Sequence, residues 1–165
     1  MITLEDFNRL EAEQARAAIA HCVALPAWQQ ALVAARPFAS RSELFAQAQR
    51  LMVSWQAADL DRALGGHPRI GERAVGSSRA AALSRGEQAS LSDSDAATQA
   101  ALRQGNADYE ARFGRVFLIR AKGRSAQAML TALRQRLTLS PQQELAEALA
   151  QLRDITQLRL EETIA

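Results

Sequence analysis

The sequence predicts an all-α fold, a single domain over residues 1–165 with about seven or eight helices. Three observations predict it. Ala, Leu, Gln, Glu and Arg dominate the chain, and these are the strong helix formers. Apolar residues recur at intervals of three and four rather than two. Ser, Thr and Pro stand repeatedly just ahead of the apolar runs, where helix starts need them.

The elements follow in order. Thr3 with Asp6 is an acidic variant of a capping box, and Leu4, Phe7, Ala15, Ala18, Ile19 and Cys22 form one stripe behind it. Pro26 starts the next helix, which carries Trp28, Leu32 and Val33 and is followed by Pro37. Ser40 and Glu43 form a capping box for a helix through Leu44, Leu51, Met52 and Trp55. A short segment through Leu60 and Leu64 stops at Gly65-Gly66. Gly66-His67-Pro68-Arg69-Ile70-Gly71 cannot be regular helix.

Ala74 to Ala82 is small and polar and is expected as a surface loop, with Ser84 and Glu87 forming a further capping box after it. A helix is expected from about Ser94 to Phe113, with Gly114 beyond its end. Val116-Phe117-Leu118-Ile119 is the only strand-like run and has no evident partner. Ser125 opens a helix bearing Met129, Leu130, Leu133 and Leu137, and Ser140-Pro141-Gln142-Gln143 opens the last one.

Composition narrows the function classes. At 165 residues, 48% hydrophobic and 23% charged, the chain reads as globular and long enough to bury a core. A net charge of +2 with scattered basic residues argues against a nucleic-acid partner. Cys22 is the single cysteine, so neither an intramolecular disulfide nor a cysteine-based zinc site is expected. His21 and His67 lack the spacing of a helix-borne metal pair, and no metal is expected. There is no run suited to a membrane span and no signal-peptide pattern. Thr163-Ile164-Ala165 is not a peroxisomal tail, and a reducing cytoplasm is the expected location.

Three residues could carry chemistry. His67 precedes a proline, which holds its backbone extended, and imidazole titrates near neutrality. A loop histidine capping a helix end is the plainer reading. Glu87 can close its capping box, or it can stand at a helix N-terminus suited to a carboxylate ligand, with Gln88 beside it. Arg159 shares the face of Leu145, Ala148, Leu149, Leu152, Ile155 and Thr156, so it either snorkels to water or meets an anion or carbonyl. Weaker features are Lys122-Gly123-Arg124-Ser125, which is not a phosphate-binding loop, and His21-Cys22, which is read as core. Asn106, Tyr109 and Phe113 follow helical spacing and are read as packing residues.

Together these pieces resemble the OHCU decarboxylases of purine catabolism, which act on 2-oxo-4-hydroxy-4-carboxy-5-ureidoimidazoline. The likeness rests on His67-Pro68-Arg69-Ile70-Gly71, then Ser84-Arg85-Gly86-Glu87-Gln88, then Asn106, Tyr109 and Phe113-Gly114. It continues through Phe117-Leu118-Ile119 and Ala121-Lys122-Gly123-Arg124-Ser125 to Ile155 and Arg159-Leu160. At the N-terminal end Cys22, Trp28 and Ala34-Ala35-Arg36-Pro37-Phe38 match. The family often has proline where this chain has Val116.

The resemblance implies an all-helical homodimer that forms (S)-allantoin without metal or organic cofactor. It assigns catalysis to His67, Glu87 and Arg159. It assigns substrate contact to Pro68, to Ser84, Arg85, Gly86, Glu87 and Gln88, and to Phe117, Leu118, Ile119, Arg120 and Ala121. The implied partner is a small ureido-imidazoline carboxylate, with no nucleic acid and no membrane. A non-catalytic interaction module of the same fold is the alternative, and the trio of His67, Glu87 and Arg159 argues for the enzyme.

Overall fold

The computed structural model describes residues 1–65, 67–72, 78–89, 91 and 94–165. Among these the chain is all-α, as predicted. The helices are α1 (Leu4–Arg9), α2 (Ala12–Ile19), α3 (Pro26–Ala34), α4 (Arg41–Met52), α5 (Ala57–Leu64), α6 (Arg79–Glu87), α7 (Ala96–Phe113), α8 (Ala126–Arg136) and α9 (Pro141–Thr163). An isolated parallel bridge pairs Ile2 with Ile164. No described helix is long and apolar enough to cross a membrane.

Most starts lie where the sequence places them. The Asp6 N–H donates to Thr3 Oγ1 at 3.0 Å, Glu43 N–H to Ser40 Oγ at 3.1 Å and Ala128 N–H to Ser125 Oγ at 3.1 Å. Ser140 and Gln143 bond reciprocally at 3.2 and 3.0 Å, which satisfies two orphan donors of α9. Asp95 caps α7 by accepting the Thr98 N–H, and that bond holds its carboxyl below the usual range. Gly114, at φ +72°, ends α7 in the left-handed conformation that glycine adopts without strain.

Packing divides the chain into two compact units: Met1–Ala63 with Arg153–Ala165, and Leu64–Leu152. In the first, Phe7, Ala15, Ile19, Leu32, Leu44, Ala48 and Met52 are buried, and Trp28 meets Trp55 edge-on at 6.3 Å. The N-terminal stripe, read as one element, is two helices. The backbone turns extended at Leu10 and Glu11, and the Arg36 guanidinium takes the carbonyls of Phe7 at 2.6 Å and Leu10 at 2.8 Å. A cation from the connection after α3 thus satisfies the carbonyls a helix end leaves open.

In the second unit α7 lies against α8. Leu102, Tyr109, Phe117, Met129 and Leu133 are buried together in one cluster there. Gly105 lets the two helices close up, because a Cβ there would stand 2.5 Å from Leu133 Cδ2.

One expectation is overturned in this unit. α6 begins at Arg79, capped by Ser78, whose hydroxyl accepts the Ala81 N–H at 3.1 Å. The expected loop therefore holds helix from 79 to 82, while its residues 74–77 lie outside the described residues, as does Gly66. Ser84 and Glu87 do not form a capping box: Ser84 is buried inside the helix and Glu87 is its last residue. The run Arg79-Ala80-Ala81-Ala82-Leu83 consists of the best helix formers, and Ser78 offers the same hydroxyl ahead of it. Glu87 consequently stands at the negative end of the helix dipole, which does not attract a carboxylate ligand.

Candidate active site

The segment from His67 to Glu72 links α5 to the residues before α6. The His67 N–H donates to the Leu64 carbonyl at 3.1 Å, which carries the last turn of α5 forward by one bond. His67 and Pro68 are half-buried. The next three residues are each held by a side chain, two from α7 and one from the residue that caps α6. Arg69 forms a forked pair with Glu110, Nε to Oε1 at 2.5 Å and Nη2 to Oε2 at 3.2 Å. Those bonds and the Glu110 charge, helped by Glu72, hold the guanidinium above its ordinary pKa. The buried Ile70 turns its carbonyl to Asn106 Nδ2 at 2.6 Å. Gly71 sits at φ +92°, a conformation costly for any side chain, and its N–H donates to Gln88 Oε1 at 3.1 Å.

That last bond brings two of the sequence-selected segments together. Gly71, Ser84, Arg85, Gln88, Leu91 and Leu102 line one cleft of about 380 Å³, a volume suited to a small ligand. Ser84 is buried there, Arg85, Glu87 and Gln88 are half-buried, and Gly86 is exposed. Arg85 brings a positive charge to the wall and Glu72 a negative one.

The stretch Phe117 to Ala121 is a third segment. It is not paired as a strand, in keeping with its lack of a partner in the sequence. Side chains replace the missing strand. Arg136 Nη1 donates to the Leu118 carbonyl at 2.6 Å, and Gln151 Oε1 accepts the Arg120 N–H at 2.9 Å. Arg136 is itself locked by Glu144, with Nε 3.0 Å from both carboxylate oxygens and Nη2 on Oε1, and the Tyr109 hydroxyl donates to the same Oε1. The Arg136 guanidinium also lies 4.5 Å from the centre of the Phe117 ring, as a cation–π pair. The side chains of Phe117, Leu118, Ile119 and Ala121 are buried, and Arg120 is half-buried. Neither the N–H nor the carbonyl of Ile119 is hydrogen-bonded to any described residue. Ile119 and Ala121 share a hydrophobic cluster with Ile70 and Leu91, so the loop, the cleft wall and this segment rest on one core.

Arg159 belongs to the first unit, on the C-terminal half of α9. It does not snorkel: only 2% of the residue is exposed, and Nη1 donates to the His21 carbonyl at 3.2 Å. The Thr163 hydroxyl donates to the Arg159 carbonyl at 2.7 Å and lies 2.7 Å from His21 Nε2, so His21 contacts both ends of that helical turn. Cys22 is buried, as expected of a core cysteine.

Volume alone does not select the site. A cleft of about 430 Å³ in the first unit is lined by Arg16 and Arg36, among others. Their guanidiniums are already engaged, Arg16 by Glu13 and Gln29 and Arg36 by three carbonyls. Among the described residues no group of three or more His, Cys, Asp and Glu side chains could hold a metal ion.

Sequence reading missed the supports of the site. Beyond their part in the family resemblance, Asn106 and Tyr109 read as helical packing, yet each makes a buried polar bond. Arg136 carries the signal that singled out Arg159, a guanidinium within an apolar face, here that of Met129, Leu130, Leu133 and Leu137. Glu110, Glu144 and Gln151 have no local signal, because their partners are distant in sequence.

A family profile described as "OHCU decarboxylase" matches residues 8–161. The chain is 33% identical over 141 residues to the 2-oxo-4-hydroxy-4-carboxy-5-ureidoimidazoline decarboxylase of Amia calva, covering 84% of this chain and 81% of that protein. It is similar in fold to a crystal structure of OHCU decarboxylase in the presence of (S)-allantoin, with TM-score 0.74 and 24% identity, over 93% of this chain and 97% of that one. A crystal structure of (S)-allantoin synthase matches with TM-score 0.73 and 18% identity, over 99% of this chain and 54% of that one.

Proposed function

The chain belongs to the OHCU decarboxylase family, and from that membership we propose that it decarboxylates 2-oxo-4-hydroxy-4-carboxy-5-ureidoimidazoline to (S)-allantoin in uric acid degradation. The observation that carries the reading is the family match from residue 8 to residue 161, nearly the whole chain.

The substrate supplies its own electron sink. The carbon that bears the carboxylate also bears a hydroxyl and adjoins a C=N carbon. When the bond to the carboxylate breaks, its electron pair forms a C=C bond and the C=N pair moves to nitrogen, which takes a proton. The resulting enol loses its hydroxyl proton and gains one at the neighbouring carbon, giving allantoin and CO2. The face of that last protonation sets the (S) configuration. Such a reaction needs a placed proton donor and a site that holds the anion, so the reading includes catalysis without an organic cofactor or metal.

Each residue has a part in this reading. His67, stiffened by Pro68, delivers or relays the proton. Glu87 favours the protonated imidazole or holds the substrate hydroxyl, since a nearby carboxylate stabilises a cation. Arg159 binds an anionic or carbonyl end of the substrate. Its guanidinium is kept from water, where a forked contact is strongest. Ser84, Arg85, Gly86 and Gln88 form the wall, and Arg85 offers the carboxylate a counter-charge. The Ile119 peptide, with Leu118 and Arg120 fixed on either side of it, presents an N–H and a carbonyl to the ureido arm, which carries the same pair of groups. Phe117, Leu118 and Ala121 back that edge with apolar surface. One domain over 1–165, a homodimer and a cytoplasmic location complete the proposal.

The test is circular dichroism of freshly generated substrate with and without the protein. Unaided decay gives racemic allantoin and no net signal. A fast rise in the (S) signal is expected. A trace that matches the blank would leave this chain as a non-catalytic member of the family.

A further inference from the structure

We infer that Asn106 is a positioning residue for the reaction proposed above, holding the His67 loop in place from α7. The inference rests on that reading of His67. Asn106 is 4% exposed and lies in the middle of α7, which fixes its backbone. Its Nδ2 donates to the Ile70 carbonyl at 2.6 Å, three residues beyond His67. The amide orientation is forced, because the flipped form would set two oxygens against each other. One helical turn on, Glu110 holds Arg69 in a forked pair. Asn106 and Glu110 are four apart and share a helix face, so α7 grips two consecutive loop residues with one rigid edge. Gln88 holds the next residue, Gly71, from the end of α6.

The chemistry of Asn106 favours positioning over stability. Its Oδ1 is buried and has no hydrogen-bond partner among the described residues. A buried acceptor left unpaired is unfavourable, and an apolar side chain of the same shape would avoid it. What an apolar residue could not do is hold the Ile70 carbonyl. The amide therefore sets the path of a loop that has no helix or strand of its own to set it. A proton donor displaced by about 1 Å loses much of its rate while substrate still binds.

Asn106→Leu tests this, since leucine nearly matches the shape and removes the donor. Steady-state rates would be measured on parent and variant, together with the imidazole resonances by NMR. The chain has two histidines, so His67→Ala assigns both signals. The expected result is a fall in kcat of about tenfold or more with KM within about twofold. The His67 signals and their titration midpoint move, while those of His21 stay. An active parent with unchanged kcat and unmoved His67 signals in the variant overturns the inference and leaves the function standing. A parent that does not accelerate decarboxylation overturns the function instead. The resonances then decide alone: moved His67 signals keep the loop clamp, and unmoved ones remove it. If Asn106→Leu does not fold, Glu110→Gln takes its place, with a smaller displacement of His67 expected and an unmoved His67 again overturning the idea.

Discussion

The Gly71 N–H donates to the Gln88 side-chain oxygen at 3.1 Å, which ties the loop carrying His67 to the residue that caps the C-terminal end of α6. The bond spans seventeen residues and closes the cleft wall on one side. Gln88→Leu removes the acceptor, and we expect kcat/KM to fall by roughly ten- to a hundredfold through displaced groups. Gln88→Glu keeps an acceptor oxygen and should retain most of the rate. Equal loss in both variants would show that the Gly71 bond is not what matters.

His67→Ala should remove proton delivery and lower turnover by about 10²–10⁴-fold. His67 is half-buried, and its backbone N–H, which the variant keeps, donates to the Leu64 carbonyl. Thermal melting should therefore move little. Near-normal turnover in this variant would remove His67 from the mechanism.

Arg136 and Glu144 are 5% and 1% exposed and form a buried ion pair. Arg136→Met strands the Glu144 carboxylate and should cost about 3–5 kcal/mol in urea unfolding. The double variant Arg136→Met/Glu144→Leu should recover much of that loss, because neither charge is then buried alone. It should still weaken substrate binding, since the Leu118 carbonyl loses its donor. A double variant no more stable than Arg136→Met would argue against this account.

Burial, and then the hydrogen bond to Glu144, pushes the Tyr109 phenol well above its ordinary value. A group raised in the folded state stabilises fully below its unfolded pKa, about 10, and that contribution fades as pH rises from there toward the folded value. Tyr109 is the single tyrosine, so phenolate absorbance follows it without interference. The signal should appear together with alkaline unfolding and not before it. Tyr109→Phe should lack this part of the pH dependence. A phenolate signal near pH 10 in the folded protein would contradict the buried contact.

Gly105→Ala sets two effects against each other. Alanine favours a helix interior by about 0.5–1 kcal/mol, whereas overpacking a buried contact costs about 1–3 kcal/mol. The added Cβ would press on Leu133, which is itself fully buried, so a net loss of stability is expected by thermal melting. A stabilised variant would mean that Leu133 has room to turn away.

The sequence by itself determined the helical class, most of the helix starts and the residues worth testing. These are local matters. A hydroxyl caps the N–H three residues on, a glycine ends α7, and an apolar period marks a buried face, so Thr3, Ser40, Ser125, Ser140 and Gly114 were all legible. The same local reasoning failed where two caps competed. Ser84 looked like a helix start, but Ser78 captured the helix because the alanine-rich run between them prefers to be helical. The break at Leu10 was equally hidden, since Arg36, twenty-six residues away, stabilises it. Only the tertiary structure decided what holds the site. Asn106 on Ile70, Glu110 on Arg69, Gln88 on Gly71, Arg136 on Leu118 and Gln151 on Arg120 each join residues far apart in the chain. A loop without regular structure must satisfy its peptide groups with side chains. Which side chains reach them depends on how the helices pack, and no local pattern records that.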